Sequence, residues 1–180
     1  MTTRLSKDHW LDHGLTQLAA AGPQALKAEP LCKALGVSRG SFYWHFSDLE
    51  DFHTQICALW RDRVTEAVIA ENRNNSPTDA ARLTRLMQAA FGDNSGIEPA
   101  MRAWAQENAK VRAVIADVDV RRLTYLAEII RAAGVPEEQI TPRARFVYAA
   151  YLGQPFLATA ADSRFNADDI DALAALMLVC

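Results

Sequence analysis

The sequence predicts an all-α protein, and three observations carry that prediction. Alanine fills 32 and leucine 18 of the 180 positions, while Val, Ile and Thr are comparatively sparse, a composition that favours helix over sheet. Apolar residues recur at helical spacing in successive segments. Turn formers at Gly22-Pro23, Asn74-Asn75-Ser76-Pro77, Gly92 to Gly96, Gly134-Val135-Pro136 and Asp162 to Asn166 cut the chain into helix-length pieces.

Taken in order, the first piece begins at Ser6 as an N-cap and places Trp10, Leu11, Leu15 and Leu18 on one face before stopping at Gly22. Gly14 lies in its middle, where glycine costs up to ~1 kcal/mol relative to alanine; close packing on another helix would explain it, and simple tolerance would do so equally well. Residues 28–35 form a short helix with Pro30 in its first turn and Gly36 as a left-handed C-cap. A second short helix over 37–46 has Ser38 as its N-cap, so the pair reads as a helix-turn-helix with Leu31, Leu35, Val37, Phe42 and Phe46 as core. A long helix starts at Asp48, with Glu50 and Asp51 in its first turn, carries Phe52, Ile56, Leu59, Trp60, Val64 and Ala67, and ends near Asn74. Further helices are predicted over 78–91, 97–108, 111–133, 142–161 and 167–179, the fourth opening on Thr141-Pro142 and the last on Asn166.

Composition excludes several classes. With 50% hydrophobic and 23% charged residues, eight Gly and seven Pro, the chain is a folded domain or two and not a disordered one. Cys32, Cys57 and Cys180 are odd in number and far apart, which suits neither a disulfide framework nor a zinc site and points to a reducing cytoplasm. The charged start carries no secretory signal. The longest uncharged stretch, 146–161, has 16 residues, fewer than the roughly 20 needed to cross a bilayer, so no membrane partner is expected. The net charge of −3 argues against a nucleic-acid partner until it is divided along the chain. Residues 1–46 hold five basic and three acidic groups; the remainder holds 14 against 19.

The segment Leu35-Gly36-Val37-Ser38-Arg39-Gly40-Ser41-Phe42-Tyr43-Trp44-His45-Phe46 resembles the DNA-binding signature of the tetracycline-repressor (TetR) family, LGVS-x-G-x-[FL]-Y-x-HF. The resemblance implies residues 1–47 as a helix-turn-helix DNA-binding domain and 48–180 as an effector-binding and dimerisation domain, joined through the long helix. The chemistry also stands without the family. Gly40 and Ser41 let backbone approach a duplex, while Ser38 and the helix start offer N–H groups to phosphate. Arg39 can take guanine O6 and N7 or a phosphate. Tyr43, Trp44 and His45 are consecutive and cannot all face one core, because helical residues turn by about 100° each. By resemblance Tyr43 and His45 clamp phosphates and Trp44 projects towards the groove. Two positions depart from the family pattern: Leu49 stands where relatives carry a lysine that meets phosphate, which weakens the anchoring, and Lys27 where they carry a capping threonine, which lysine cannot replace as a cap but can replace as a phosphate contact. With Lys7, Lys27 and Arg39 as the cations, the dependence of binding on salt should be shallow, about four phosphates per pair of protomers.

Nothing in 78–180 forms a catalytic constellation, and the chain reads as no enzyme, with no cofactor and no metal. His9 and His13 are spaced as zinc ligands can be but lack a companion. The segment Phe146 to Gly153 is apolar on all sides, so one side must meet its own subunit and the other a partner. Phe146, Ala150, Gly153 and Leu157, with Ile170, Leu173 and Met177, are the expected surface of a homodimer, which would bring two recognition helices to a palindromic double-stranded DNA operator. By the same resemblance, a small-molecule effector would sit among Trp60, Met87, Phe91, Trp104, Tyr125 and Tyr148, releasing a repressor from DNA. The competing reading is a helical ligand-binding protein or enzyme with a degenerate helix-turn-helix.

Overall fold

The computed structural model describes residues 5–157 and 165–179. The secondary structure there is helical, with ten α-helices among the described residues: α1 Lys7–Ala21, α2 Ala28–Leu35, α3 Arg39–His45, α4 Leu49–Arg61, α5 Ala67–Asn75, α6 Asp79–Gly92, α7 Ile97–Glu107, α8 Ala109–Ala132, α9 Glu137–Gly153 and α10 Ala167–Leu178. None is long and apolar enough to cross a membrane.

The helix ends follow local chemistry. Ser6 accepts the His9 N–H, Asp48 the Asp51 N–H and Thr78 the Ala81 N–H. Asn166 and Asp169 cap reciprocally at the start of α10. Two predictions need correction. The long helix predicted from 48 to about 74 is interrupted by a π turn over Asp62–Glu66, which separates α4 from α5. The helix predicted to start at Pro142 begins at Glu137 instead. Pro136 precedes it, Glu137 and Glu138 suit the positive end of its dipole, and Pro142 lies inside. That helix ends at Gly153, where Pro155 lies in a 3₁₀ turn, Gln154–Phe156. Its predicted final residues and the turn at 162–164 lie outside the described residues, as does Cys180.

Contacts divide the chain into two compact units whose limits differ from a division at 47/48: Met1–Val64 with Ser95–Ala116, and Thr65–Asn94 with Asp117–Cys180. The first is built on rings. Phe42 lies 5.5 Å from Trp10, 5.1 Å from Phe46 and 5.3 Å from Phe52, centroid to centroid, within the 4.5–7 Å range of favourable aromatic pairs. Leu15, Leu18, Leu26, Leu31 and Ile56 fill the space around them. Helix α1 packs closely on α4. A Cβ at Gly14 would fall 2.4 Å from Ile56 Cδ1 and 2.8 Å from Phe52 Cζ, so of the two readings of that glycine the structure selects close packing.

The second unit buries Ile69, Leu83, Met87, Phe91, Tyr125, Ile129, Ile130, Ile140, Val147, Ile170 and Ala174 together. It also buries polar groups, several of them hydrogen-bonded. Asn72 accepts the Tyr125 hydroxyl at 2.7 Å and donates to the Arg82 carbonyl at 3.0 Å. Thr65 accepts from Arg122 Nε at 3.0 Å, and Gln154 donates to the Phe91 carbonyl at 2.9 Å.

Candidate nucleic-acid interface

Helices α2 and α3 are joined by three residues. Gly36 takes φ 66° and ψ 31°, the left-handed conformation that only glycine adopts freely. The Gly36 N–H bonds to the Lys33 carbonyl and the Val37 N–H to the Cys32 carbonyl at 3.0 Å, the paired bonds of a Schellman closure. The turn is thereby fixed in its own backbone, and α3 leaves it in a defined direction. Ser38 holds the N-cap position with extended backbone, but its side chain makes no capping bond to α3. The Ser38 hydroxyl is therefore not engaged as the sequence predicted.

The aromatic run on α3 divides as helical rotation requires. Phe42 and Phe46 are buried, His45 is half-buried, and Tyr43 and Trp44 are 52% and 70% exposed. Gly40 is exposed, and a Cβ there would meet only the Ser38 Oγ, at 3.7 Å. Packing inside the fold thus does not require glycine at that position. Ser41 is half-buried.

Three cations of the same unit, Lys7, Lys27 and Arg39, are exposed. Lys7 is exposed with its Nζ 5.6 Å from the centre of the Phe46 ring. Lys27 is exposed at the N-cap position of α2 and caps nothing with its side chain. Arg39 lies 3.7 Å from Glu29, both side chains mostly in solvent, so the pair contributes little and is easily exchanged for phosphate. Glu29 escaped sequence reasoning: it is ten residues from Arg39, and only the turn brings the two together.

The acidic start of α4 has work inside the fold. Asp48 caps the helix. Asp51 accepts from Gln55 and from the Ser47 N–H, and these bonds, the first foremost, hold its carboxyl below the usual range. Glu50 pairs with Lys110. Leu49 is half-buried and brings no charge.

The residues predicted to hold an effector are divided between the two units. Met87, Phe91, Tyr125 and Tyr148 share the core of the second unit, where the Tyr148 hydroxyl donates to Asp119 at 2.6 Å. Trp60 and Trp104 are buried in the first unit. A groove of about 730 Å³ in the first unit, lined by His53, Cys57, Arg61, Lys110 and Val111 among others, includes none of the six. Burial lowers the His53 pKa, against a bond to the Leu26 carbonyl that raises it, and pushes the Cys57 thiol up to about 11, which leaves that thiol protonated and unreactive near neutrality. Among the described residues no group of three or more His, Cys, Asp or Glu could hold a metal ion.

Of the expected dimer residues, Phe146 and Leu157 are exposed, Ala150, Gly153 and Leu173 half-buried. Ile170 and Met177 are buried in their own chain's core and present no free face. Sequence reasoning missed Leu176 and Val179, which are exposed on and just after α10; they stand six and nine residues after Ile170, off its buried stripe.

A short, Schellman-closed helix pair that turns two aromatics and several cations outward defines the class: a helix-turn-helix on an all-helical chain. Residues 11–52 match the family model described as bacterial regulatory proteins, tetR family. Over 61 residues the chain is 33% identical to the HTH-type transcriptional regulator AcrR of Shigella flexneri, covering 34% of this chain and 28% of that protein, so it matches little more than a quarter of the curated relative's length. Residues 11–52 are accordingly similar to the helix-turn-helix of the tetR family. The fold extends the likeness over nearly the whole chain. A crystal structure assigned to the TetR/AcrR family superposes with a TM-score of 0.80 at 20% identity, covering 96% of this chain and 98% of the other. The transcriptional regulator FadR of Bacillus subtilis, solved in complex with stearoyl-CoA, gives 0.63 at 16% identity and covers 94% of each chain.

Proposed function

We propose that the chain is a DNA-binding transcriptional regulator of the cytoplasm, acting as a homodimeric repressor on a palindromic operator and released by a small-molecule effector. The observation that carries this reading is α3, whose inner face is locked to the aromatic core while Tyr43 and Trp44 stand in solvent, on a unit that also exposes Lys7, Lys27 and Arg39. Side chains placed at such cost to solubility are placed for a partner, and the exposed cations select a polyanion. Lys7, Lys27, Ser38, Gly40, Ser41, Tyr43 and His45 serve the backbone, and Arg39 and Trp44 the groove.

The dimer reading rests on the second unit. Phe146, Ala149, Ala150 and Gly153 stand at helical spacing on α9, as Ala172, Ala175 and Leu176 do along α10, with Val179 just past its end. Phe146 is 61% exposed, and a second copy covering it would place the recognition helices in two-fold relation. An effector shifts the equilibrium only by the difference in its affinity for the two states. The acyl-CoA held by FadR makes a partly apolar effector the first class to screen.

The test is fluorescence anisotropy on duplexes from the DNA upstream of the gene. Sequence-specific binding tighter than about 10⁻⁶ M is expected, with a shallow slope of log K on log salt of about −4. Tyr43→Ala should weaken binding and leave the sedimentation coefficient of the dimer unchanged. Binding no tighter than to unrelated DNA would sink the regulator reading and favour a ligand-binding protein that keeps a degenerate helix-turn-helix.

A further inference from the structure

The chain has four tryptophans, and three of them, Trp10, Trp60 and Trp104, are 0%, 1% and 4% exposed. Trp44 is 70% exposed, on α3, next to a tyrosine 52% exposed. An indole left in water on one short helix, when the rest are buried, marks a surface that a partner dries.

The side chains of α3 limit what that surface can read. Its sequence, Arg-Gly-Ser-Phe-Tyr-Trp-His, contains no Asn or Gln, the side chains that pair bidentately with adenine, and no Asp or Glu to accept from cytosine N4. Arg39 can serve one guanine. What the helix offers in quantity is aromatic hydrocarbon, and the major groove displays one hydrocarbon feature, the C5-methyl of thymine. Helix α3 is fastened to the core by Phe42 and Phe46, with centroids 5.1 Å apart, so the exposed rings ride on a fixed backbone. Fixed rings suit methyl recognition, which depends on close fit and not on reach.

We infer that Trp44, supported by Tyr43, reads thymine through its C5-methyl group, so that each half-site is specified by methylated pyrimidine positions and at most one Arg39-guanine contact. The inference rests on the DNA-binding reading above and adds the chemical feature that is recognised.

Uracil differs from thymine by that methyl alone. Two random-core duplex libraries, one made with dTTP and one with dUTP, are put through selection by the full chain, and the recovered sites are remeasured by anisotropy. Recovered dT sites should carry thymine at fixed positions in both halves. Replacing one such thymine in each half by uracil should weaken binding about fifteenfold, about fourfold per methyl, the value of one buried methylene-sized group. Trp44→Ala, a change at an exposed position whose folding is checked by circular dichroism, should bind the dT and dU forms of the site alike. If uracil is tolerated at every recovered position, or if Trp44→Ala keeps the preference for thymine, methyl reading is overturned while DNA binding stands. Failure of the wild-type chain to enrich any sequence from either library would overturn the DNA-binding reading and the inference with it.

Discussion

The two units are stabilised by different chemistry. The first holds all four tryptophans and all four histidines of the chain, while the second holds three of the four tyrosines and, among the described residues, four of the five buried polar or charged ones. In the first, a hub of rings pins a seven-residue helix that could not persist alone, since isolated helices shorter than about 12 residues are marginal in water. In the second, aliphatic packing is threaded by hydrogen bonds from Thr65, Asn72, Tyr125 and Gln154. A presenting surface needs a rigid backing, and closely packed rings supply it. The hydrogen-bonded core has exacting partners, and its stability should depend on single polar atoms.

The sharpest way to break that contrast is at its hub. Phe42 is fully buried against Trp10, Phe46 and Phe52, so Phe42→Ala should cost about 3–5 kcal/mol. Tryptophan fluorescence reads the first unit selectively, because every tryptophan lies there. In denaturant titrations followed that way, Tyr43→Ala, one residue away and half in solvent, should stay within about 0.5 kcal/mol of the parent. Equal losses for the two variants would mean that α3 is not held from its inner face.

A smaller effect should come from the second unit. Tyr125→Phe keeps the ring and removes the hydroxyl that donates to Asn72 at 2.7 Å, leaving a buried amide oxygen short of its donor. The expected loss is about 1–2 kcal/mol, read by circular dichroism melts. A variant as stable as the parent would show that the amide is satisfied otherwise and that polar threading is not what holds this core.

Much of this was legible in the sequence, for reasons that differ by residue. Caps at Ser6, Asp48, Thr78 and Asn166 and the left-handed Gly36 are local chemistry, written within three or four positions. The inward Phe42 and Phe46 and outward Tyr43 and Trp44 follow from rotation along a helix. The π turn at 62–66 was not legible, because no Gly or Pro marks it. Partners far along the chain surround it: Arg63 bonds to Asp12 at 2.5 Å and Glu66 to Arg121 at 3.3 Å. Pro142 misled because proline at a helix start and proline one turn further in look alike in sequence. Glu29 beside Arg39 was not legible either, because charge alone says nothing of which turn brings two residues together.

The contrast between the units predicts an acid response confined to one of them. Burial lowers the pKa of His53, against the bond to the Leu26 carbonyl, and burial lowers that of His13. In the unfolded chain both return to about 6.5. Between that value and the lower folded ones, the unfolded chain binds more protons than the folded chain, so stability is complete above about pH 6.5 and is lost as pH falls through the folded pKa values. Because the second unit contains no histidine and ordinary carboxylates titrate near 4, the window from about pH 6.5 to 5 isolates the first. The denaturant midpoint followed by tryptophan fluorescence should therefore fall on going from pH 7 to 5.5. His53→Gln, which retains a donor for the Leu26 carbonyl, should flatten the slope and leave the His13 contribution. A midpoint that holds steady or rises on acidification in the parent would show that neither ring is kept neutral by the fold, and the account of a first unit whose packing holds His13 and His53 uncharged would have to be abandoned.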